Sequence, residues 1–263
     1  MAMKDKHGME SKGTVSNLNR FARVLAEAKG EAPRALVRMP DKAIEETEKR
    51  KRLIKKLQGL DIDKKREMAE DPNTDKYLLD ILGLEKDFDI KYLVAGNRNA
   101  SVEILDRLSR DKDEDVREAV AKNGKTSVET LERLSRDKNW QVRAAVALHE
   151  NDSLETLERL SKNEEWTVRA SVARNENISV EILERLSKDE EWRVREAVAE
   201  NENDSLEIFE RLSKDENPWV RASVAENGKT PIEILKRLEK DANEDVRNSA
   251  TAALKKLQEN LEK

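Results

Sequence analysis

The chain has no cysteine among its 263 residues. That absence removes disulfides, thiolate nucleophiles, zinc–cysteine sites and cysteine-ligated iron–sulfur clusters together. Histidine is nearly as scarce, with only His7 and His149, so neither a histidine metal centre nor a Ser-His-Asp triad can be assembled. Five prolines and eight glycines leave long helical spans uninterrupted, and no phosphate-cradling glycine loop is present. No apolar run approaches the roughly 20 residues needed to cross a bilayer. The opening MAMKDKHGMESKGT lacks the apolar segment of a secretory signal. The expectation is a soluble cytoplasmic protein that makes no use of a membrane, with no catalytic, cofactor-binding or metal-binding residues. Asn99, Asn151, Asn177 and Asn203 begin glycosylation sequons; without a secretion signal they read as turn residues falling at a fixed phase.

Charge is what the chain has in excess. Charged residues make up 41% and hydrophobic residues 37%, where about a quarter charged is usual. Such a balance suits an elongated stack of small units, which has more surface to cover than a ball. The charge is also divided. Residues 1–60 hold 15 Lys and Arg against 8 Asp and Glu, a net of +7, whereas the remainder holds 36 against 48, a net of −12. A basic head precedes an acidic body.

The body repeats itself. Val116-Arg117, Val142-Arg143, Val168-Arg169, Val194-Arg195, Val220-Arg221 and Val246-Arg247 are spaced by 26 residues each time. The phase extends backwards in weaker form through Ile90-Lys91 to Met68, Ala69 and Asp71. Within a unit, Val116, Ala119, Val120 and Asn123 have the spacing of one helical face. Val128, Leu131, Leu134 and Ser135 form a second, shorter face, and the joint between them is rich in turn and cap residues. Pro231, after Thr230, reads as a first helical position. Each unit is therefore helix, turn, and then helix or tight helical turn. Neither segment reaches the roughly 12–15 residues at which an isolated helix becomes marginal in water, so the units must stack. The small residues Ala119, Ala145, Ser171, Ala197, Ser223 and Ser249 allow close approach.

The pattern DxxWxVRxxVAxN followed by SxExLxRLxxD, as in Asp189, Trp192, Val194, Arg195, Val198, Ala199, Asn201, Ser205, Glu207, Phe209 and Leu212, resembles the leucine-rich repeat variant family over about residues 75–253. The resemblance implies an all-α, HEAT-like solenoid in which α and 3₁₀ helices alternate in a right-handed superhelix. It implies little about function. Some relatives carry a cysteine-bound iron–sulfur module ahead of the repeats, which a chain without cysteine does not share. The organisation expected is a disordered tail at 1–14, a short basic helical region at 15–60, and an α-solenoid at 61–263 ending in a capping helix.

Several columns invite a functional reading. Arg117, Arg143, Arg169, Arg195, Arg221 and Arg247 could line a face for phosphates or carboxylates. Asp111, Asp137, Asp189, Asp215 and Asp241 stand six residues before five of them, with Asn163 in the remaining place, which favours bidentate inter-repeat pairs. Trp140, Trp166 and Trp192 share a column, with Trp219 displaced by Pro218. They could stack on bases or anchor a partner, but capping of the core edge is the favoured reading. Asn97, Asn123, Asn175, Asn201 and Asn227, interrupted by His149, read as residues that leave each helix through a left-handed conformation. Glu155, Glu158, Glu181 and Glu184 read as a solvated surface.

In the head, residues 15–30 have an amphipathic helical pattern, and Asp41 is placed to start a second helix running to about Gln58. That helix carries KRKRLIKK, in which Lys49, Arg50, Lys51, Arg52, Lys55 and Lys56 form the chain's concentrated polyanion signal. Three roles compete for them: gripping nucleic-acid phosphates, docking on an acidic solenoid, or solvating a capping helix. The leading expectation is a non-enzymatic scaffold with a protein partner; a nucleic-acid or ribonucleoprotein accessory factor acting through the basic helix is the alternative. A HEAT-like base-excision enzyme would need a basic DNA-facing surface, which an acidic body opposes.

Overall fold

The computed structural model describes residues 41–261 apart from Asp152 and Asp204. The expected tail at 1–14 and helix at 15–30 lie outside these residues. The chain divides into two compact units, residues 1–65 and 66–263. The first contains α1 (Asp41–Gln58), an amphipathic helix whose Leu57 is buried while Leu53 and Ile54 are half-buried. Asp61 then caps the chain's re-entry into α2 (Ile62–Glu70) through its Oδ1, which accepts the Lys64 N–H at 2.7 Å. The division between the units falls within α2.

The second unit alternates longer and shorter helices. The longer ones after α2 are α4 (Phe88–Gly96), α6 (Glu114–Lys122), α8 (Trp140–Ala147), α10 (Trp166–Ala173), α12 (Trp192–Glu200) and α14 (Pro218–Glu226). Between them lie seven-residue helices: α3 (Lys76–Leu82), α5 (Val102–Leu108), α7 (Val128–Leu134), α9 (Leu154–Leu160), α11 (Val180–Leu186), α13 (Leu206–Leu212) and α15 (Ile232–Leu238). The 18-residue α16 (Glu244–Leu261) ends the stack. No strand occurs among the described residues, so this is an all-α solenoid. The shorter segments are α-helical rather than 3₁₀, with Leu105 N–H bonded to Ser101 O and Ser109 N–H to Leu105 O. The alternative left open by the spacing is thereby settled as α/α.

Local chemistry sets these lengths. Each short helix from α5 to α13 opens on a serine whose hydroxyl accepts a backbone N–H of the first turn, as Ser127 does from Thr130 and Ser179 from Ile182. Each ends on another serine, such as Ser135, whose own hydroxyl donates to the Glu132 carbonyl. Asp113, Asn139, Glu191 and Asn217 cap longer helices in the same manner. Pro231 stands at the cap position of α15 and not at its first helical residue. Proline lacks a capping side chain but presets the extended backbone that a cap requires. Pro218 occupies the first turn of α14, where a missing N–H costs nothing.

Consecutive longer helices pack directly on one another, and each short helix packs against the longer helices of the stack. The core runs through Val116, Val120, Val142, Val146, Val168, Val172, Val194 and Val198, all fully buried, and is closed by a buried pair from each short helix, such as Leu183 and Leu186 in α11 and Phe209 and Leu212 in α13. Val128 departs from the expected short-helix face, because it is exposed while Thr130 is buried. The buried line on this helix runs through Thr130, Leu131 and Leu134, which leaves its first residue on the flank. Val102, Leu154, Val180, Leu206 and Ile232 share that exposed position.

Two substitutions one helical turn apart separate these environments. Leu183→Ala, at a fully buried site, is expected to cost about 2–5 kcal/mol. Val180→Ala, at 38% exposure, is expected to change stability by about 0.5 kcal/mol or less. Urea denaturation of the full chain followed by circular dichroism checks both.

Candidate interaction surfaces

The edge where short helices lead into longer ones is built from arginine. The Arg117 Nε and Nη2 donate to the two oxygens of Asp137, 20 residues on, at 2.6 and 2.9 Å. Its Nη1 donates to the carbonyls of Asp111 and Lys112 in the loop before its own helix. The same fork joins Arg169 to Asp189, Arg195 to Asp215 and Arg221 to Asp241, and Lys91 reaches Asp111 with a single 2.6 Å contact. Each guanidinium thus clamps its own loop and the next repeat's aspartate at once. Burial is the largest influence on the Asp137 carboxyl and raises its pKa, but the Arg117 hydrogen bonds, the Asn139 N–H and the Arg117 charge together hold it below the usual range. The broken rung is Arg143. Asn163 offers it one oxygen at 3.3 Å, and its Nε is buried without a hydrogen-bond partner. Among the described residues Arg247, at the end of the series, donates to the loop carbonyls of Asp241 and Ala242.

The opposite edge is built from asparagine, by a mechanism other than the left-handed exit expected from the sequence. Asn97, Asn123, Asn201 and Asn227 have φ between −67° and −79° with extended ψ. Their side chains work instead. Asn123 Nδ2 donates to the carbonyls of Ala95 and Asn97 in the preceding repeat, at 2.7 and 3.0 Å, and its Oδ1 accepts the Lys125 N–H. Asn97, Asn175, Asn201 and Asn227 do the same. His149 substitutes within this scheme: its Nδ1 accepts the Asn151 N–H at 3.1 Å, which leaves Nε2 to carry the proton and donate to Asn123 O. Asn99, Asn151, Asn177 and Asn203 add a parallel row by donating to Pro72, Gly124, Glu150 and Glu176 carbonyls.

A second arginine series went unread in the sequence, although its period of 26 is equally regular. Arg133 bonds Asp106 and Ser109 of the preceding repeat, Arg159 bonds Glu132 and Ser135, Arg185 bonds Glu158 and Ser161, and Arg237 bonds Glu210 and Ser213. Glu158, which read as a solvated carboxylate, is therefore a rung. Glu132 is held down to about 2 from its ordinary 4.5, chiefly by the Thr156 hydroxyl and then by Arg136 and Arg159. Arg107 begins this series where Gly83 supplies no serine hydroxyl; its Nη2 is buried and unpartnered, and burial draws its pKa down to about 10 against the Asp80 charge.

The tryptophans are displayed on the long-helix side. Trp140, Trp166 and Trp192 are the first residues of α8, α10 and α12, and Trp219 is the second of α14. Trp140 is 41% exposed, Trp166 36% and Trp219 56%, while Trp192 is half-buried, so three of the four rings stand on the flank where the sequence pattern suggested a cap on the core edge. The reason is angular. Each of the first three stands two residues before a buried valine, about 200° round the helix. Arg193 lies between two of these rings, its guanidinium carbon 4.5 Å from the Trp192 centroid and 5.2 Å from that of Trp166, while its Nη1 donates to Glu191 at 2.9 Å.

On α1, Lys49, Lys51, Arg52, Lys55 and Lys56 are exposed and Arg50 is half-buried; Lys51 pairs with Glu48 at 3.0 Å. Among the described residues, no group of three His, Cys, Asp or Glu side chains is placed to hold a metal ion, and no helix is long and apolar enough to cross a membrane.

The family model described as leucine rich repeat variant matches residues 166–191, a stretch whose length equals the chain's own period. Among solved structures, the chain is similar to a leucine-rich repeat variant with a novel repetitive structural motif, at 24% identity over 72% of this chain and 86% of that one, with a TM-score of 0.45. It is also similar to an engineered protein, at 14% identity over 82% and 80% with a TM-score of 0.34. A designed armadillo repeat protein matches at 12% identity over 78% and 98%, with a TM-score of 0.24. The curated proteins give no match.

Restoring the broken rung tests the arginine geometry. Asn163→Asp is expected to stabilise the chain by about 1–2 kcal/mol by giving Arg143 a carboxylate, read as a rise in the urea midpoint. The second series predicts acid sensitivity. A carboxyl whose folded pKa is depressed contributes stability above its unfolded value and loses it as pH falls through the folded one. For Glu132 that window runs from 4.5 down to about 2, so Glu132→Gln should be less stable than the parent at neutral pH and converge with it toward the acid end in parallel urea titrations.

Proposed function

We propose that this solenoid, which carries the leucine-rich repeat variant unit, is a non-catalytic cytoplasmic scaffold that holds a protein partner along its row of tryptophans. The observation that carries this reading is the exposure of aromatic rings at the head of successive longer helices. Large aromatic side chains on a rigid, repeated frame are the residue type that dominates protein interfaces, since they bury much area at little conformational cost. The rest of the repeat supports the assignment by being occupied. Arg117, Arg169, Arg195 and Arg221 are engaged with Asp137, Asp189, Asp215 and Asp241, and the asparagines with carbonyls of the preceding repeat. Those columns hold the frame, which leaves the tryptophan side to meet other molecules.

A second reading has its own observation, the run of exposed cations on α1. We propose it as a local electrostatic contact with a nucleic-acid backbone, confined to the head because the body is acidic.

Affinity capture with the full chain, compared with a Trp140→Ala, Trp166→Ala, Trp219→Ala variant, tests the first reading. The expected result is a saturable protein partner, lost from the variant and retained by Val180→Ala, followed by direct titration with that partner purified. Equal capture by parent and variant would remove it. For the second reading, salt-sensitive binding to a single-stranded RNA should disappear when residues 1–60 are deleted; binding that survives the deletion overturns it.

A further inference from the structure

Resting on the tryptophan row as a binding surface, we propose that Trp140 and Trp166 together form a slot for an arginine side chain of a basic segment in the protein partner. The structure contains its own template one repeat further on. There, Arg193 places a guanidinium against both Trp166 and Trp192, at 5.2 and 4.5 Å from the ring centroids, and Glu191 accepts from its Nη1. A planar cation sandwiched by two indole faces and paired with a carboxylate gains from stacking and from charge together.

The positions 26 residues earlier hold the same residue types without the cation. Trp140 and Trp166 take the places of Trp166 and Trp192, and Glu165 takes that of Glu191. Thr167 stands in the position of Arg193, with a side chain too short to cover an indole. Its hydroxyl is buried without a hydrogen-bond partner, and Glu165 makes no side-chain capping bond to its own helix. Among the described residues no cation lies over the Trp140 ring, which is 41% exposed. The charge of the surroundings matches a positive ligand, since the body as a whole is acidic. Two aromatic faces, a carboxylate at the template's distance in sequence and an acidic body select a guanidinium over a neutral or anionic group.

The test uses the full chain and a fluorescein-labelled arginine–glycine repeat peptide, with the same peptide carrying citrulline in place of arginine as the uncharged control, read by fluorescence anisotropy. The parent should bind the arginine peptide and not the citrulline one. Thr167→Arg supplies the missing cation from within and should weaken binding by about tenfold or more, while melting as the parent does, since the same residue is accommodated at 193. Arg193→Ala opens a second slot and should strengthen binding by about twofold or more. Failure of the parent to bind, or equal affinity in parent and Thr167→Arg, overturns the slot. If the triple tryptophan variant still loses its captured partner in that case, the row remains a binding surface with a different ligand; if it does not, both readings fall. Binding of poly(U) RNA that Thr167→Arg abolishes, with the peptide unaffected, also overturns the slot and assigns the rings to base stacking.

Discussion

A helix of seven residues cannot maintain itself in water, and everything in the body of this protein follows from how that weakness is answered. The answer is a bond from each unit to the next through side chains, because a helix consumes its own backbone groups and has few left for its neighbours. Asparagine amides reach the carbonyls left over at the end of the preceding helix, and arginine forks reach the aspartates of the following loop. The apolar columns would bring the helices together without fixing their register. The polar ladders on the two edges fix it.

This division of labour makes the arginine contacts more than surface salt bridges. An exposed ion pair contributes little, but Arg117 and Asp137 are both nearly excluded from solvent, so neither can lose its partner without leaving a buried charge. The consequences of imperfect rungs are visible. Arg143 faces an asparagine and keeps an orphaned Nε, and Arg107 faces a glycine and keeps an orphaned Nη2. At Gly83 an added Cβ would come within 2.7 Å of the Ile104 side chain, so packing in that unit is arranged around the missing group.

With the Arg117-type, Arg133-type and Asn123-type columns committed to neighbouring repeats, the apolar side chains left on the surface are mainly the first residues of the helices. Repetition then turns one permissive position into a row. On the longer helices that row reads Phe88, Glu114, Trp140, Trp166, Trp192, Pro218 and Glu244, with tryptophan in the centre. The frame and the surface are thus specified by adjacent positions of the same unit, and they vary independently: Val168 and Val194 do not change, while Thr167 and Arg193 beside them do.

The period of 26, the helical faces, the end of α1 near Gln58 and the stacking of an all-α body were legible in the residues, because helical spacing and the instability of short helices are local properties. So was the in-phase recurrence of Asp with Arg. What the residues did not disclose was direction. Nothing local distinguishes an asparagine that turns the chain from one that reaches back 26 residues to another loop, or a tryptophan that closes a core from one two positions out of phase with it. The second arginine series was as periodic as the first but lay among glutamates that looked solvated. Spacing along the chain determined which residues recur together; only the packed repeats decided which of them meet, since the distance from one unit to the next exists in space and not in the sequence.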